Sequence, residues 1–532
     1  MPPKTLDVDQ LPAMLRDGGE IALLDLREEG DFTQGHLLLA ASLPIGRFEL
    51  DLPWRVPCRG TRIVLVGGGK ARSSQALNLL ESAGYTNVFL LDVSPSEYER
   101  AGLGWFSGKY VPSKAFGEVV ETATQTPHIE TKELLALKGK GAQLLMVDSR
   151  TPEEFVDFSL PGAMSCPGAE LLLRVPERVG PDSLVIVNCA GRTRSIIGAQ
   201  SLINAGLECP VFAVENGTMG WHLEGHALQR GTLVQLEADP SPKRLERSRA
   251  AAMGLLARTG GQLVSWDQLQ ARLRDASATT YFYDVRLQAD YGQGSYPGAR
   301  CAPGGELVQS TDFFAPVRHA RIVVADTELI QAPMTAHWLR QMGWQADVLD
   351  PATAPSLAVP EPSNQGWLRE PAKAVQMSVP EVWTAVQENP GMAVIDCSSS
   401  IAFRKAHIAG AWYCGRACLA DGLKALPPHM SMLVFTANET ALARFAAADA
   451  LALGWEARVL EGGNTSWRSA GLPMEQGAHR QLSPPNDVWY SPYEVEPERQ
   501  ESAMREYIDW EIGLASRVAR EPGIHFQVLR AE

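Results

Sequence analysis

The chain has 532 residues, of which 45% are hydrophobic and 21% are charged, and its formal net charge is -14. This length predicts roughly three to five domains of ordinary soluble composition. The acidic balance argues against a nucleic-acid partner, because such proteins usually present a basic face. No stretch is typical of a signal peptide or of a membrane span of about 18 apolar residues, so we expect a cytoplasmic protein with no membrane partner.

One pattern of elements recurs four times along the chain. It consists of an apolar strand ending in Asp, a loop and helix region, a second apolar strand, a turn, an amphipathic helix ending at Gly, and a third strand. The first strands are predicted at 21–27, 144–150, 281–286 and 393–396. The second strands are predicted at 63–66, 184–187, 322–324 and 433–435, and the third at 88–91, 211–214, 346–349 and 457–460. Short apolar strands alternating with helices indicate an α/β fold with parallel sheets flanked by helices.

We therefore predict four α/β domains in tandem, named units one to four here. Their predicted bounds are 1–112, 125–232, 258–352 and 374–478, and a C-terminal helical tail follows at 484–532. Proline-containing linkers at 237–243 and 351–364 separate units two, three and four. In the tail, apolar residues recur at helical spacing over 501–515. This spacing predicts a helix that docks on a domain of the same chain or on another subunit.

The turn after the second strand of unit two carries the candidate chemistry. A strand delivers Cys189 to its carboxyl end, and the loop Cys189-Ala-Gly-Arg-Thr-Arg-Ser195 leads into a helix. Backbone N–H groups in such a turn can form an anion-binding nest at a helix N-terminus. Together with Arg192 and Arg194, the nest favours a thiolate, so we expect a lowered pKa for Cys189. A thiolate facing an anion pocket can attack a sulfur or phosphorus oxyanion.

Unit two resembles the rhodanese family over about residues 128 to 230. The resemblance is carried by the loop CAGRTRS, the strand end Val147-Asp-Ser-Arg150 with Pro152-Glu-Glu-Phe155 after it, the turn Leu160-Pro-Gly-Ala163, and Glu215-Asn-Gly217 leading to Trp221. It implies that Cys189 accepts a sulfane sulfur as a persulfide. The persulfide would then pass its sulfur to cyanide, to a small thiol such as glutathione, or to a protein cysteine.

The same resemblance implies roles for the residues around Cys189. The loop backbone would cradle the persulfide, and Arg194 and Arg192 would orient a small anionic donor, with thiosulfate the leading candidate. The implied substrate-binding residues are Ala190, Gly191, Arg192, Thr193, Arg194 and Ser195. Asp148 and Arg150 match a pair that braces the family fold, so we interpret them as structural. No metal or organic cofactor is expected, because the eight cysteines lack zinc-site spacing.

Two alternatives to sulfur transfer stay open at this point. Four residues separate Cys189 from Arg194, whereas related phosphatases have one more, so the loop length disfavours a phosphatase or an arsenate reductase. The other alternative is a multidomain binding scaffold in which Cys189 is vestigial. A homodimer is also left open.

Units one, three and four are predicted to lack the nucleophile. Alignment on the glycines that end the helices places Gly67, Asp326 and Ala437 at the position of Cys189. In the rhodanese family, a degenerate domain often pairs with an active one and the site lies between them. This resemblance implies that unit one pairs with unit two, and that units three and four form a second pair serving as scaffold, dimerisation surface or docking site.

Overall fold

Each of the four predicted units contributes five parallel strands to a sheet of its own in this computed structural model, which describes residues 4–237, 240–360 and 366–530. The two predicted linkers lie partly outside these residues. The sheets share one strand order, in which the two long apolar strands are neighbours near the centre. The strands of units one and two, in sheet order, are Lys4–Thr5, Val88–Leu90, Arg62–Val66, Ile21–Asp25 and Ala41–Ser42, then His128–Ile129, Val211–Val214, Leu184–Asn188, Leu144–Asp148 and Met164–Ser165. Those of units three and four are Leu263–Val264, Gln345–Leu349, Arg321–Ala325, Thr280–Asp284 and Arg300–Cys301, then Val375–Met377, Glu456–Leu460, Met432–Thr436, Met392–Asp396 and Trp412–Tyr413.

The strand register aligns the four units residue by residue. The Asp that ends each first strand pairs with the last residue of the second strand; these pairs are Asp25 with Val66, Asp148 with Asn188, Asp284 with Ala325, and Asp396 with Thr436. The next residue along the chain is Gly67, Cys189, Asp326 or Ala437. The alignment made from the helix-ending glycines is therefore confirmed by the sheets.

Helices cover the sheets and join the units. Within the units they are Leu11–Arg16, Glu29–Phe32, Phe48–Arg55, Gly69–Ser82 and Pro95–Arg100; Thr131–Gly139, Pro152–Asp157, Leu171–Arg178, Thr193–Asn204 and Gly217–Leu223; Trp266–Arg274, Gln288–Gln293, Gly304–Gln309, Thr311–Phe314 and Gln331–Gln341; and Val379–Glu388, Ser400–Lys405, Leu419–Gly422, Thr440–Ala452 and Gly463–Ser469. Helices Val111–Thr124 and Pro242–Arg258 connect successive units. The glycines that end the long helices have left-handed φ angles, as predicted: Gly84, Gly206, Gly343 and Gly454.

The units do not pair as the family resemblance implies. Strand Val317–Arg318 of unit three adds antiparallel to Ile21–Asp25 of unit one, and one apolar cluster runs through both units. Unit three also packs on unit two, where Trp338 Nε1 donates to Ser201 Oγ at 2.8 Å. Unit four packs on unit one. The predicted pairing of units three and four is therefore wrong: unit three packs on units one and two, and unit four packs on unit one, because the apolar surfaces retained outside the sheets decide which faces join.

The predicted tail helix is present as Gln500–Val518. It docks on helix Val111–Thr124 of the same chain and buries Met504, Ile508, Leu514 and Val518. Of the two predicted docking modes, the structure contains the intramolecular one. No helix among the described residues is long and apolar enough to cross a membrane.

Candidate active site

Cys189 lies at the wall of a cavity of about 260 Å³. It directly follows strand Leu184–Asn188, and helix Thr193–Asn204 begins four residues later. The thiol is 2% exposed, and its Sγ lies 3.5 Å from Ser195 Oγ. The whole loop from Cys189 to Arg194 lines the cavity, whereas Ser195, also predicted as a binding residue, contacts the Cys189 thiol but does not line the cavity.

The loop backbone can serve as an anion nest. Among the described residues, no hydrogen bond uses the N–H groups of Ala190, Gly191 or Arg192. In unit three, the carboxylate of Asp326, which stands at the position of Cys189, accepts hydrogen bonds from the N–H groups of Leu329, Ile330 and Gln331 at 2.8–3.0 Å. The same strand–loop–helix turn therefore binds a carboxyl side chain of its own in unit three, and offers its donors to the cavity in unit two.

The turn containing Gly217 packs against the loop and is hydrogen-bonded to it. Thr218 N–H donates to Cys189 O at 2.9 Å, and Met219 N–H donates to Ala190 O at 3.0 Å. Gly217 has φ +56°, and a Cβ there would lie 2.3 Å from Cys189 O. Only glycine lets the two backbones approach this closely.

Burial reverses the pKa shift that the sequence predicts for Cys189. Desolvation raises the pKa of the thiol above its ordinary value, while Arg194 and the hydroxyl and N–H of Ser195 act to lower it and Glu511 raises it further. The predicted lowering is therefore wrong for this closed arrangement. The largest cause is burial, which removes water from the thiol and penalises its charged form more than Arg194 and Ser195 stabilise it.

Both predicted arginines line the cavity and are held by carboxylates. Arg194 makes two bonds to Glu154, at 2.6 and 2.8 Å, and one to Glu306 of unit three at 3.2 Å. Arg192 is paired with Glu118 at 2.8 Å and also contacts Glu121. An incoming anion must therefore compete with these glutamates for the guanidinium groups.

Several cavity residues come from elements far from Cys189 in the sequence, and their place at this site was not predicted. Lys114 Nζ lies 3.1 Å from Glu511 Oε1 and donates to the hydroxyl of Tyr507. Thr193 Oγ1 donates to the same Glu511 oxygen at 3.1 Å. Lys109, Trp489 and Tyr493 complete this side of the cavity. No local motif marks these residues, because helix docking alone brings them over the loop.

Asp148 and Arg150 lie behind the loop and are fully buried. Arg150 Nη2 and Nε donate to the two Asp148 oxygens at 2.8 and 2.9 Å, and Asn188 Nδ2 also donates to Asp148 at 2.9 Å. Arg150 also donates to Phe158 O. These contacts tie the first strand to the second, and neither side chain lines the cavity.

Comparison with known proteins agrees with this fold and loop. The family model for the rhodanese-like domain matches residues 7–101 and 130–224. The solved structure of a thiosulfate sulfurtransferase from Pseudomonas aeruginosa is 39% identical, with 99% of this chain and 100% of that chain covered and a TM-score of 0.90. This chain belongs to the rhodanese-like sulfurtransferase family.

More distant similarity extends over single-domain lengths. A protein of unknown function from Rhodopseudomonas palustris, described as a possible tyrosine phosphatase, is 20% identical, with 19% of this chain and 85% of that chain covered and a TM-score of 0.17. A rhodanese-related protein from Thermoplasma volcanium is 23% identical, with 19% and 97% covered and a TM-score of 0.17. Neither bears on the activity. A search of curated proteins gave no match.

Proposed function

We propose that the protein transfers sulfane sulfur from thiosulfate, through a persulfide on Cys189, to a thiol or cyanide. The observation that carries the proposal is the position of Cys189: it ends a strand beside uncommitted loop N–H groups in a cavity lined by Arg192, Arg194 and Lys114. The printed name of the 39% identical relative, a thiosulfate sulfurtransferase, supports thiosulfate as the donor.

The proposed reaction has two displacements at sulfur. The Cys189 thiolate attacks the outer sulfur of thiosulfate, the S–S bond of the donor breaks, and sulfite leaves with the bonding electrons. Arg194 and Arg192 orient the sulfonate, and the loop N–H groups hold the persulfide anion. An acceptor thiolate or cyanide then attacks the outer persulfide sulfur, and the Cys189 thiolate leaves.

We also propose that all four units are rhodanese-like domains within the bounds predicted from the sequence, and that unit two alone is catalytic. The shared strand order of the four sheets supports this for units three and four, beyond the two matched segments. Gly67, Asp326 and Ala437 cannot act as sulfur nucleophiles. In unit one a cysteine at position 67 would be strained as well, because φ is +66° and a Cβ would lie 2.5 Å from Asp25 Oδ1.

Intact-mass spectrometry after incubation with thiosulfate tests the mechanism. Wild type should gain one sulfur, about 32 Da, and Cys189→Ser should gain none, since the thiolate is the nucleophile. Cys166→Ser is the matched control, because Cys166 is equally buried in unit two but does not line the cavity. Sulfur gained by Cys189→Ser would show that another cysteine is the acceptor, and no gain by wild type would contradict thiosulfate as the donor.

A further inference from the structure

The chain that joins unit four to the tail helix runs along one side of the cavity at Cys189. We call its residues 486–494 the strap. Every residue of the strap is buried or partly buried. The strap residues that line the cavity are Trp489, Ser491, Tyr493 and Glu494. Since the Cys189 thiol is 2% exposed, what can reach it depends on how firmly this segment is held.

Unit one holds the first half of the strap. Gly30 N–H donates to Asn486 O at 2.8 Å, and Asn486 Nδ2 donates to Asp31 Oδ2 at 2.9 Å. Trp489 N–H donates to Glu29 Oε1 at 2.9 Å. A Cβ at Gly30 would lie 2.6 Å from Asn486 O, so the backbones of unit one and the strap are in direct contact.

Unit four holds the strap from another side. Arg404 Nη2 donates to Glu494 O at 2.9 Å, and the Arg404 guanidinium lies 5.0 Å from the centre of the Tyr490 ring. Ser400 N–H donates to Asp487 Oδ2 at 2.9 Å. Unit four, which lacks a sulfur nucleophile at the position of Cys189, therefore still contributes to the shape of the active site.

Unit two and the tail helix fix the second half of the strap. Tyr493 Oη donates to Thr218 Oγ1 at 2.8 Å, and its ring centre lies 4.0 Å from that of Phe158. Gln500 Nε2, at the start of the tail helix, donates to Tyr493 O at 3.1 Å. The strap is thus bonded to three units and to the tail, and displacing it would break all of these contacts together.

The cavity keeps a small opening beside the strap. Among the described residues of its lining, only Asp157 is exposed. Lys405 of unit four lies on the outer side of this opening, with its Nζ 3.3 Å from Asp157 Oδ2. A small molecule can enter beside Asp157 while the strap stays in place.

Resting on the proposed sulfur transfer, we propose that the strap restricts the acceptor to a small thiol or cyanide and excludes the cysteine of a folded protein. In the transfer step the acceptor forms a bond to the outer persulfide sulfur, the S–S bond to Cys189 breaks, and its electrons stay on the Cys189 sulfur. A protein cysteine carries its sulfur close to its backbone. Its chain would have to enter the cavity together with the sulfur, where the strap lies.

Release of sulfur from the loaded protein tests the proposal. Wild type is incubated with thiosulfate, freed of the donor, and given free cysteine, cyanide or reduced thioredoxin, and intact-mass spectrometry follows the loss of about 32 Da. The reactive thiol of thioredoxin has a pKa of about 7, against about 8.5 for free cysteine, so thioredoxin should react faster at neutral pH where access is equal.

We expect the opposite order for wild type. Release to thioredoxin should be at least about tenfold slower than release to free cysteine, because admitting a protein breaks at least one charged hydrogen bond of the strap. Release to thioredoxin as fast as to free cysteine would overturn the proposal.

Two substitutions that loosen the strap assign the selectivity to it. Gly30→Ala places a Cβ against Asn486 O, and Arg404→Ala removes the donor to Glu494 O. The double variant should release sulfur to thioredoxin at least about tenfold faster than wild type, with release to cyanide changed by less than about twofold. A double variant that still excludes thioredoxin would refute the role of the strap. If it fails to fold, as judged by circular dichroism, the single variants carry the test.

Gly292→Ala combined with Arg480→Ala is the matched control. Gly292 lies in the helix of unit three that corresponds to the helix of Gly30, and a Cβ there meets open space. Arg480 also belongs to unit four, but its guanidinium lies 5.9 Å from the ring of Trp412 rather than on a strap residue. The control should keep the selectivity of wild type. An equal gain with thioredoxin would count against the proposal, since it would not depend on the strap.

Labelling of Cys189 separates this inference from the sulfur transfer on which it rests. A maleimide carried on polyethylene glycol should spare Cys189 in wild type and modify it in the double variant, measured as the Cys189 peptide that iodoacetamide can still label after denaturation. Modification of Cys189 in native wild type would overturn the inference, whatever the protein does with thiosulfate. Failure of wild type to take up sulfur would contradict the proposed function, and the labelling would still decide whether the strap excludes large reagents.

Discussion

Cys189 combines the loop of a nucleophile with the burial of a core residue. Its thiol is almost inaccessible, and burial raises its pKa, whereas the charge of Arg194 and the hydrogen bonds of Ser195 act in the opposite direction. The reactivity of Cys189 therefore depends on how strongly the charge of Arg194 stabilises the thiolate. Glu154 and Glu306 reduce that charge in the structure described here.

Removing the charge of Arg194 should make the thiol less acidic. A thiolate forms as the pH rises through the pKa, so in Arg194→Gln the pH at which alkylation by iodoacetamide accelerates should move upward. Peptide mass spectrometry of Cys189 labelling measures this. Arg72→Gln changes the arginine of unit one that follows Gly67 by five residues, as Arg194 follows Cys189, and it should leave the curve in place. Identical curves for all three proteins would contradict the role of Arg194.

Glu306 of unit three contacts the loop of unit two through Arg194. Its Oε1 lies 3.2 Å from Arg194 Nη1. In Glu306→Gln one competing charge is removed, so the KM for thiosulfate should fall several-fold, because an anionic donor meets a less neutralised guanidinium. Steady-state sulfurtransferase kinetics check this result. Glu328→Gln, which changes an exposed carboxylate of the same unit, should leave KM unchanged, and a raised KM in Glu306→Gln would refute the competition.

At the scale of elements, the turn Glu215-Asn-Gly217 fixes the shape of the active loop. The N–H groups of Thr218 and Met219, which follow this turn, donate to loop carbonyl oxygens, and the close approach at Gly217 leaves no room for a side chain. The sequence contains this turn as part of a recognisable motif. Its contact with the loop comes from the strand order, which places the ends of the second and third strands side by side.

Gly217→Ala should lower both stability and activity. The left-handed φ costs about 1 kcal/mol or more, and the clash with Cys189 O adds to it. Gly225→Ala provides the control, since Gly225 also has a left-handed φ, of +84°, but its Cβ would meet open space. Urea unfolding should show a clearly larger loss for Gly217→Ala, and equal losses would mean that strain alone matters.

The sequence predicts strands, helix ends and the loop well because each has a local chemical cause. Apolar runs ending in Asp mark the first strands, and Gly206 and its counterparts mark the helix ends, where only a left-handed residue fits. By contrast, Lys114, Tyr507 and Glu511 reach the site only through helix docking. The predicted direction of the Cys189 pKa shift is wrong because the loop motif indicates the charges and donors around the thiol but not its burial.

At the scale of the molecule, units that contact each other are often not neighbours in the sequence. Unit four is joined to unit one by Arg416, whose Nη1 lies 2.8 Å from Glu49 Oε2, with both side chains buried. Unit three contacts units one and two together. Linker composition carries no information on how neighbouring units are oriented, so the sequence could predict repeated α/β units but not which of their faces meet.

Breaking the buried contact between units one and four should lower the free energy of unfolding substantially. Glu49→Ala leaves Arg416 buried with Asp449 as its remaining carboxylate partner among the described residues, so we expect a loss of about 3 kcal/mol in the free energy of unfolding. Glu456→Ala, which removes an exposed partner of Arg458, should cost less than about 1 kcal/mol. Chemical denaturation followed by circular dichroism compares them, and similar costs would show that the contact between the units is dispensable.

Strand Val317–Arg318, which completes the sheet of unit one, is synthesised about 300 residues after the strand that it joins. At about 5–20 residues per second, the ribosome needs roughly 15–60 seconds to supply it. During that time Ile21 and Ala22 lack this partner, while Ala41–Ser42 can already pair with the other end of the strand. An open backbone edge is a template for pairing with other chains. The nascent protein is therefore most prone to aggregation well before its catalytic surroundings are complete, and factors that shield strand edges during translation should raise its yield.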